Sequence, residues 1–105
     1  MSGLVRRLLH SMFDIHPVLD LHGLGVKEAR SETERFLRQA AAAGEAQVRI
    51  VYGKGRGTPG GIGVLRSVVP GWLTNELAAW VDRYERELDP SGDDGAVRVW
   101  LRRAD

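Results

Sequence analysis

Asp20 and His22 stand two residues apart in the stretch PVLDLHGLGVKEAR, Pro17 to Arg30, at the end of an apolar run. A carboxylate and an imidazole make a proton-transfer pair. The unperturbed imidazole pKa of about 6.5 suits a general acid or a general base, and the carboxylate can orient it or stabilise its charged form. On a β-strand, side chains two apart point the same way. Asp20 and His22 then share one face, and Leu19 and Leu21 the other. Their Cα atoms would lie about 6.6 Å apart, close enough for the side chains to converge on one ligand. A second element of chemistry follows the next apolar run, in YGKGRGTPGGIG. There Gly53, Gly55 and Gly57 alternate with Lys54 and Arg56, so backbone N–H groups and two cations can face an anion.

Other motifs are weaker. GRGTPG satisfies G-x-G-x-x-G, but Pro59 and the lack of a suitably placed ribose-binding acid argue against a dinucleotide, and no G-K-[ST] is present for a P-loop. His10, His16 and His22 recur every six residues but match no standard metal-ligand spacing. Asp20 with His22 could give a divalent ion two ligands, with no third in view, so the cofactor is left open. Asp93 and Asp94 read as solvated turn residues.

The elements that must position these groups follow from periodicity. Leu4, Val5, Leu8, Leu9, Met12 and Phe13 fall at helical spacing and predict an N-terminal amphipathic helix, ended by His16-Pro17. Val18, Leu19 and Leu21 predict a short buried strand. Ala29, Thr33, Phe36, Leu37, Ala40 and Ala41 form one stripe of a helix from Val26 to about Ala43, with Gly44 at its end. Gln47 to Tyr52 predicts a second strand. Ile62, Val64, Leu65, Val68 and Val69 start another helix, which Pro70 is expected to interrupt. Trp72, Leu73 and Leu77 then belong to a second helical piece. Trp80 to Arg86 and Ala96 to Leu101 alternate as two strands around a DPSGDDG turn. The order β-α-β-α-β-β predicts a two-layer α/β sandwich. Its four-stranded mixed sheet carries helices on one face, with an N-terminal helical extension over 1–16 and the main domain over 17–105. If the first two strands are parallel, Asp20, His22 and the glycine loop meet at their carboxyl ends, where open α/β sheets collect ligands.

Composition bounds the rest. A chain of 105 residues, 43% hydrophobic and 28% charged, is one globular domain, or a domain with a short appendage. It has no cysteine, which excludes disulfides and thiolate metal sites. No apolar run approaches the ~20 residues of a membrane span, and no small-residue cleavage site follows the N-terminus, so a cytoplasmic location is expected. Of 15 basic residues, 13 are arginine. That bias suits phosphate, and equally a GC-rich genome, so it decides nothing alone. Trp72, Trp80 and Trp100 read as core or half-buried residues, and Arg98, Arg102 and Arg103 as exposed arginines on or beyond the last strand.

LDLHG before a helix, then IVYGKGRG, VLRSVVPGWL and GDDGAVRVWL, resembles the Smr (small MutS-related) domain family from about Val18 to Arg103. The resemblance implies a two-layer α/β fold and a nucleic-acid-binding domain, in several members an endonuclease acting on DNA or RNA. It matches Asp20 and His22 to the family's cleavage pair. Gly23, Tyr52, Gly53, Lys54, Gly55, Arg56 and Gly57 match its substrate side. Tyr52 stands where the family often has histidine or threonine. A phenol of pKa near 10 can donate a hydrogen bond to phosphate but is a poor base at neutral pH. SGDDGA replaces a second family histidine near Gly92. The expectation is phosphodiester hydrolysis, or transfer to a ribose 2′-OH, with Lys54, Arg56 and the glycine amides holding the phosphate. The alternative is a non-catalytic module that binds nucleic acid or the ribosome. A small-ligand phosphate binder or enzyme is disfavoured by a chain short for a deep pocket. The sequence sets no oligomeric state.

Overall fold

The computed structural model describes residues 5–10, 15–53, 62–88 and 94–102. Five strands form one sheet in the order β1-β2-β3-β5-β4: β1 Val5–His10, β2 Ile15–Asp20, β3 Gln47–Val51, β4 Val81–Leu88 and β5 Asp94–Leu101. Only β2 and β3 run parallel, joined through helix α1, Val26–Ala42. The other neighbours are antiparallel. Helix α2, Ile62–Thr74, and a 3-10 turn, Ala78–Trp80, separate β3 from β4. The expected mixed sheet β2-β3-β5-β4 with two helices is present.

Alternation decides which face is covered. Leu19, Val48, Ile50, Val97, Val99 and Leu101 point to one side. They share a single core with Ala29, Phe36, Leu37 and Ala40 of α1 and Leu65, Val69, Trp72 and Leu73 of α2. Both helices therefore lie on that face. Thr33, the one buried polar residue among the described residues, donates its hydroxyl to the Ala29 carbonyl at 2.7 Å. Helix α1 ends as its sequence dictates. Gly44 takes a φ of 81°, its N–H bonds the Ala41 carbonyl, and the Glu45 N–H bonds that of Ala40, the paired closure a left-handed glycine permits.

Two expectations are corrected. The N-terminal helix is not found: Val5–His10 is a strand, paired antiparallel with β2. Leu4 and 11–14 lie outside the described residues. A short helix gains little alone, because nucleation is costly. The same residues as a strand satisfy backbone groups that β2 would otherwise expose as a sheet edge. Pro70 does not break its helix either, since α2 runs through it to Thr74. Trp72 and Leu73 beyond the proline are buried in the core and hold that turn in place. The Thr74 hydroxyl also donates to the Pro70 carbonyl at 2.9 Å.

Candidate active site at the carboxyl ends of β2 and β3

The backbone builds the site before any side chain enters. Asp20 pairs with Val51, and the Leu21 N–H donates to the Val51 carbonyl at 2.7 Å, so β2 and β3 end side by side. Beyond β3, the N–H groups of Tyr52 and Gly53 both reach the Gly95 carbonyl, at 3.0 and 3.1 Å. After β2 the chain turns, with the Leu24 N–H on the Leu21 carbonyl at 3.1 Å and Gly23 at a φ of 85°. A side chain there would find open space, so it is the backbone angle that demands glycine. Helix α1 starts two residues after Leu24, with no side-chain cap at Gly25. Its first free N–H groups and positive dipole end lie at the end of the sheet that carries Asp20.

Asp20 and His22 come together. The Asp20 Oδ1 accepts the backbone N–H of His22 at 3.0 Å and lies 3.4 Å from the His22 Nδ1. Both side chains face solvent, 47% and 68% exposed. A carboxylate beside Nδ1 favours the tautomer protonated there, which leaves Nε2 as the outward-facing acceptor. Gly53 lies at the exit of β3, beside this pair across the parallel ladder, with a φ of 91°. The expected substrate residues Lys54, Gly55, Arg56 and Gly57 lie outside the described residues, as does Asp93. Among the described residues no three histidine, aspartate or glutamate side chains gather to hold a metal ion.

Tyr52 is elsewhere. Its side chain is 0% exposed, packed in the core, with its hydroxyl 3.4 Å from the Ala96 carbonyl. A phosphate cannot reach that phenol in this arrangement, so the expected contact from its side chain is corrected to a core role. The signal was in the sequence: Val48, Ile50 and Tyr52 alternate onto one face.

The same alternation places Arg49 on the face of Asp20, where sequence reasoning had assigned it nothing. Its Nε donates to Glu87 Oε1 at 2.5 Å, and Arg98 grips Glu87 Oε2 from Nε and Nη2 at 3.0 and 2.8 Å. Burial alone would raise the Glu87 pKa. Hydrogen bonds and charge from Arg49 and Arg98 outweigh that and hold the carboxyl below its ordinary value.

A model of the Smr domain matches residues 19–102, most of the chain, from the end of β2 through β5. The chain belongs to the Smr domain family. This Smr domain is 48% identical over 89 residues to the endonuclease MutS2 of Symbiobacterium thermophilum, covering 85% of this chain and 10% of that protein. It is 33% identical over 101 residues to the probable DNA endonuclease SmrA of Escherichia coli, covering 96% of this chain and 53% of that one. The chain thus spans about a tenth and about half of these curated relatives. Among solved structures it superposes on the Smr domain of Thermus thermophilus MutS2 with a TM-score of 0.67 at 31% identity, covering 81% of this chain and 96% of that one. It superposes on YdaL, a stand-alone small MutS-related protein of Escherichia coli, with a TM-score of 0.69 at 36% identity, covering 82% and 64%. No helix among the described residues of this Smr domain is long and apolar enough to cross a membrane.

Proposed function

We propose that this Smr domain binds nucleic acid and cleaves its phosphodiester bonds, with His22 as the proton-transfer group and Asp20 as its orienting partner. The observation that carries the reading is the solvent-facing contact of Asp20 Oδ1 with both the backbone N–H and the Nδ1 of His22. The relatives named as endonucleases support the reaction class.

With Nδ1 protonated toward Asp20, Nε2 takes a proton from a water molecule, or from a ribose 2′-OH in RNA. The deprotonated oxygen bonds to phosphorus as the bond to the leaving oxygen breaks. The imidazolium or solvent returns a proton to the leaving oxygen. Gly53 and the cationic residues Lys54 and Arg56 that follow it hold the phosphate oxygens, where charge develops. Positioned acid–base catalysis of this kind contributes roughly 10²–10⁴-fold.

Purified protein incubated with supercoiled plasmid and with structured RNA tests this directly. The expected result is nicking of one or scission of the other. Intact substrate in both would overturn the reading. The ends separate the two routes: water attack leaves a linear phosphate monoester, and 2′-OH attack a 2′,3′-cyclic phosphate. Repeating the assay in excess chelator shows whether a divalent ion takes part.

A second reading, binding of nucleic acid or the ribosome without cleavage, is favoured by one observation. Tyr52, where the family often carries histidine or threonine, faces the core and supplies no second acid–base group.

A further inference from the structure

The sheet has two faces, and α1 and α2 cover one of them. On the other, the rows crossing the sheet are set by register: Val18 beside Arg49, Arg49 opposite Arg98, and Arg98 opposite Glu85. One step along, Trp100 lies opposite Arg83, whose guanidinium carbon sits 3.7 Å from the centroid of a Trp100 ring. Asp20 ends the neighbouring row, beside Val51. Two residues along and one strand across, the Cα atoms of Arg49 and Asp20 are about 8 Å apart. The arginines are thus laid out in a line that runs from Asp20 toward the β4 edge.

Their state suits a polyanion. Glu87 accepts from both Arg49 and Arg98, and Gln47 Oε1 accepts from Arg98 Nη1 at 2.6 Å. One carboxylate therefore fixes two guanidiniums, and the trio keeps a net charge of about +1. The terminal nitrogens of Arg49 have no partner among the described residues, and its side chain is 42% exposed. They are ordered donors aimed from a rigid strand, the arrangement that grips phosphate oxygens at least entropic cost. Arg83, 54% exposed, lies over Trp100 as a flat plate while its Nη1 donates to Glu85 Oε2 at 3.0 Å, so its charge is largely offset and what it offers is a stacking surface. Unpaired bases stack on such guanidinium planes and on aromatic rings.

We infer that the helix-free sheet face, through Arg49, Arg98 and the Arg83–Trp100 stack, is a track for a single, unpaired polynucleotide strand that leads to Asp20 and His22. The inference rests on the nucleic-acid reading above and narrows its substrate. A paired duplex hides the faces its bases would need to stack here, so the track selects single-stranded segments of DNA or RNA. Arg49 is a positioning residue, holding the phosphate next to the one at the acid–base pair.

The test is binding of a labelled oligonucleotide of about 12 nucleotides to the full chain, as single-stranded DNA, single-stranded RNA and duplex, across a salt series. The wild type should prefer the single strands. R49Q and R83Q should each weaken them by about tenfold, and R49Q should make the logarithmic salt slope shallower by about 0.7, the loss of one phosphate contact. R38Q, on the exposed side of α1, should change neither. H22A should bind as the wild type does. Arg83 is exposed on the outermost strand, so R83Q tests the track even where R49Q disturbs Glu87. Unchanged affinity and slope in R83Q and in folded R49Q, or a preference for duplex, would overturn the track while leaving cleavage at His22 standing. A wild type that bound no oligonucleotide would overturn both readings.

Discussion

Arg49 and Tyr52 are three positions apart and face opposite sides of the sheet, which reverses the importance their types suggest. Tyr52, beside a glycine loop and next to a cationic run, reads as a site residue. Its ring is core. Arg49, inside an apolar strand, drew no reading from the sequence, yet it lies on the face of Asp20. The alternation Val48, Ile50, Tyr52 carried both facts, and residue type outweighed position. The Tyr52 hydroxyl lies 3.4 Å from the Ala96 carbonyl, on the covered side of the sheet and not the side of Asp20. Y52F should therefore leave any cleavage rate within about twofold. A loss of a hundredfold in that variant would return the phenol to the chemistry.

The helices and the central strands were legible because each has a single period and one buried face. The stripe Ala29, Thr33, Phe36, Leu37 and Ala40 is the buried face of α1, and L37A should cost about 2–5 kcal/mol by denaturant titration. Gly44 was legible as a helix end for the same local reason. With its φ of 81° and open space for a side chain, G44A should cost about 1–2 kcal/mol, entirely through the backbone. The N-terminal segment was not legible. Its spacing admits a helix, but its partner, the free side of β2, exists only once the sheet has formed. Pro70 was misread for a similar reason. The core contacts of Trp72 and Leu73 that carry α2 past it are tertiary. Asp20 and His22 were legible as a pair from their spacing but not from the expected geometry: β2 ends at Asp20, and the turn that follows, with the His22 N–H on Asp20 Oδ1, brings them together.

Across the whole molecule, one sheet separates two jobs. The helix-covered face holds the fold together, and the open face carries the charged groups. Glu87 sits on that open face, on the edge strand β4, with its carboxyl held below the ordinary 4.5 by Arg49 and Arg98. A depressed carboxyl pKa adds stability that is fully present above the unfolded value and is lost as pH falls through the folded one. Stability should therefore drop as pH falls below about 4.5. E87Q, which lacks that ionisation, should show a shallower acid limb in unfolding midpoints taken from neutral pH downward. An identical limb would mean that Glu87 gains nothing from its two partners.

The cleavage we propose rests on His22. The most direct measurement is single-turnover scission of one labelled substrate, with its dissociation constant, for the wild type and H22A side by side. A fall of at least about 10²-fold in rate, with affinity held within about threefold, is the predicted result. Equal rates in the two proteins would contradict the account.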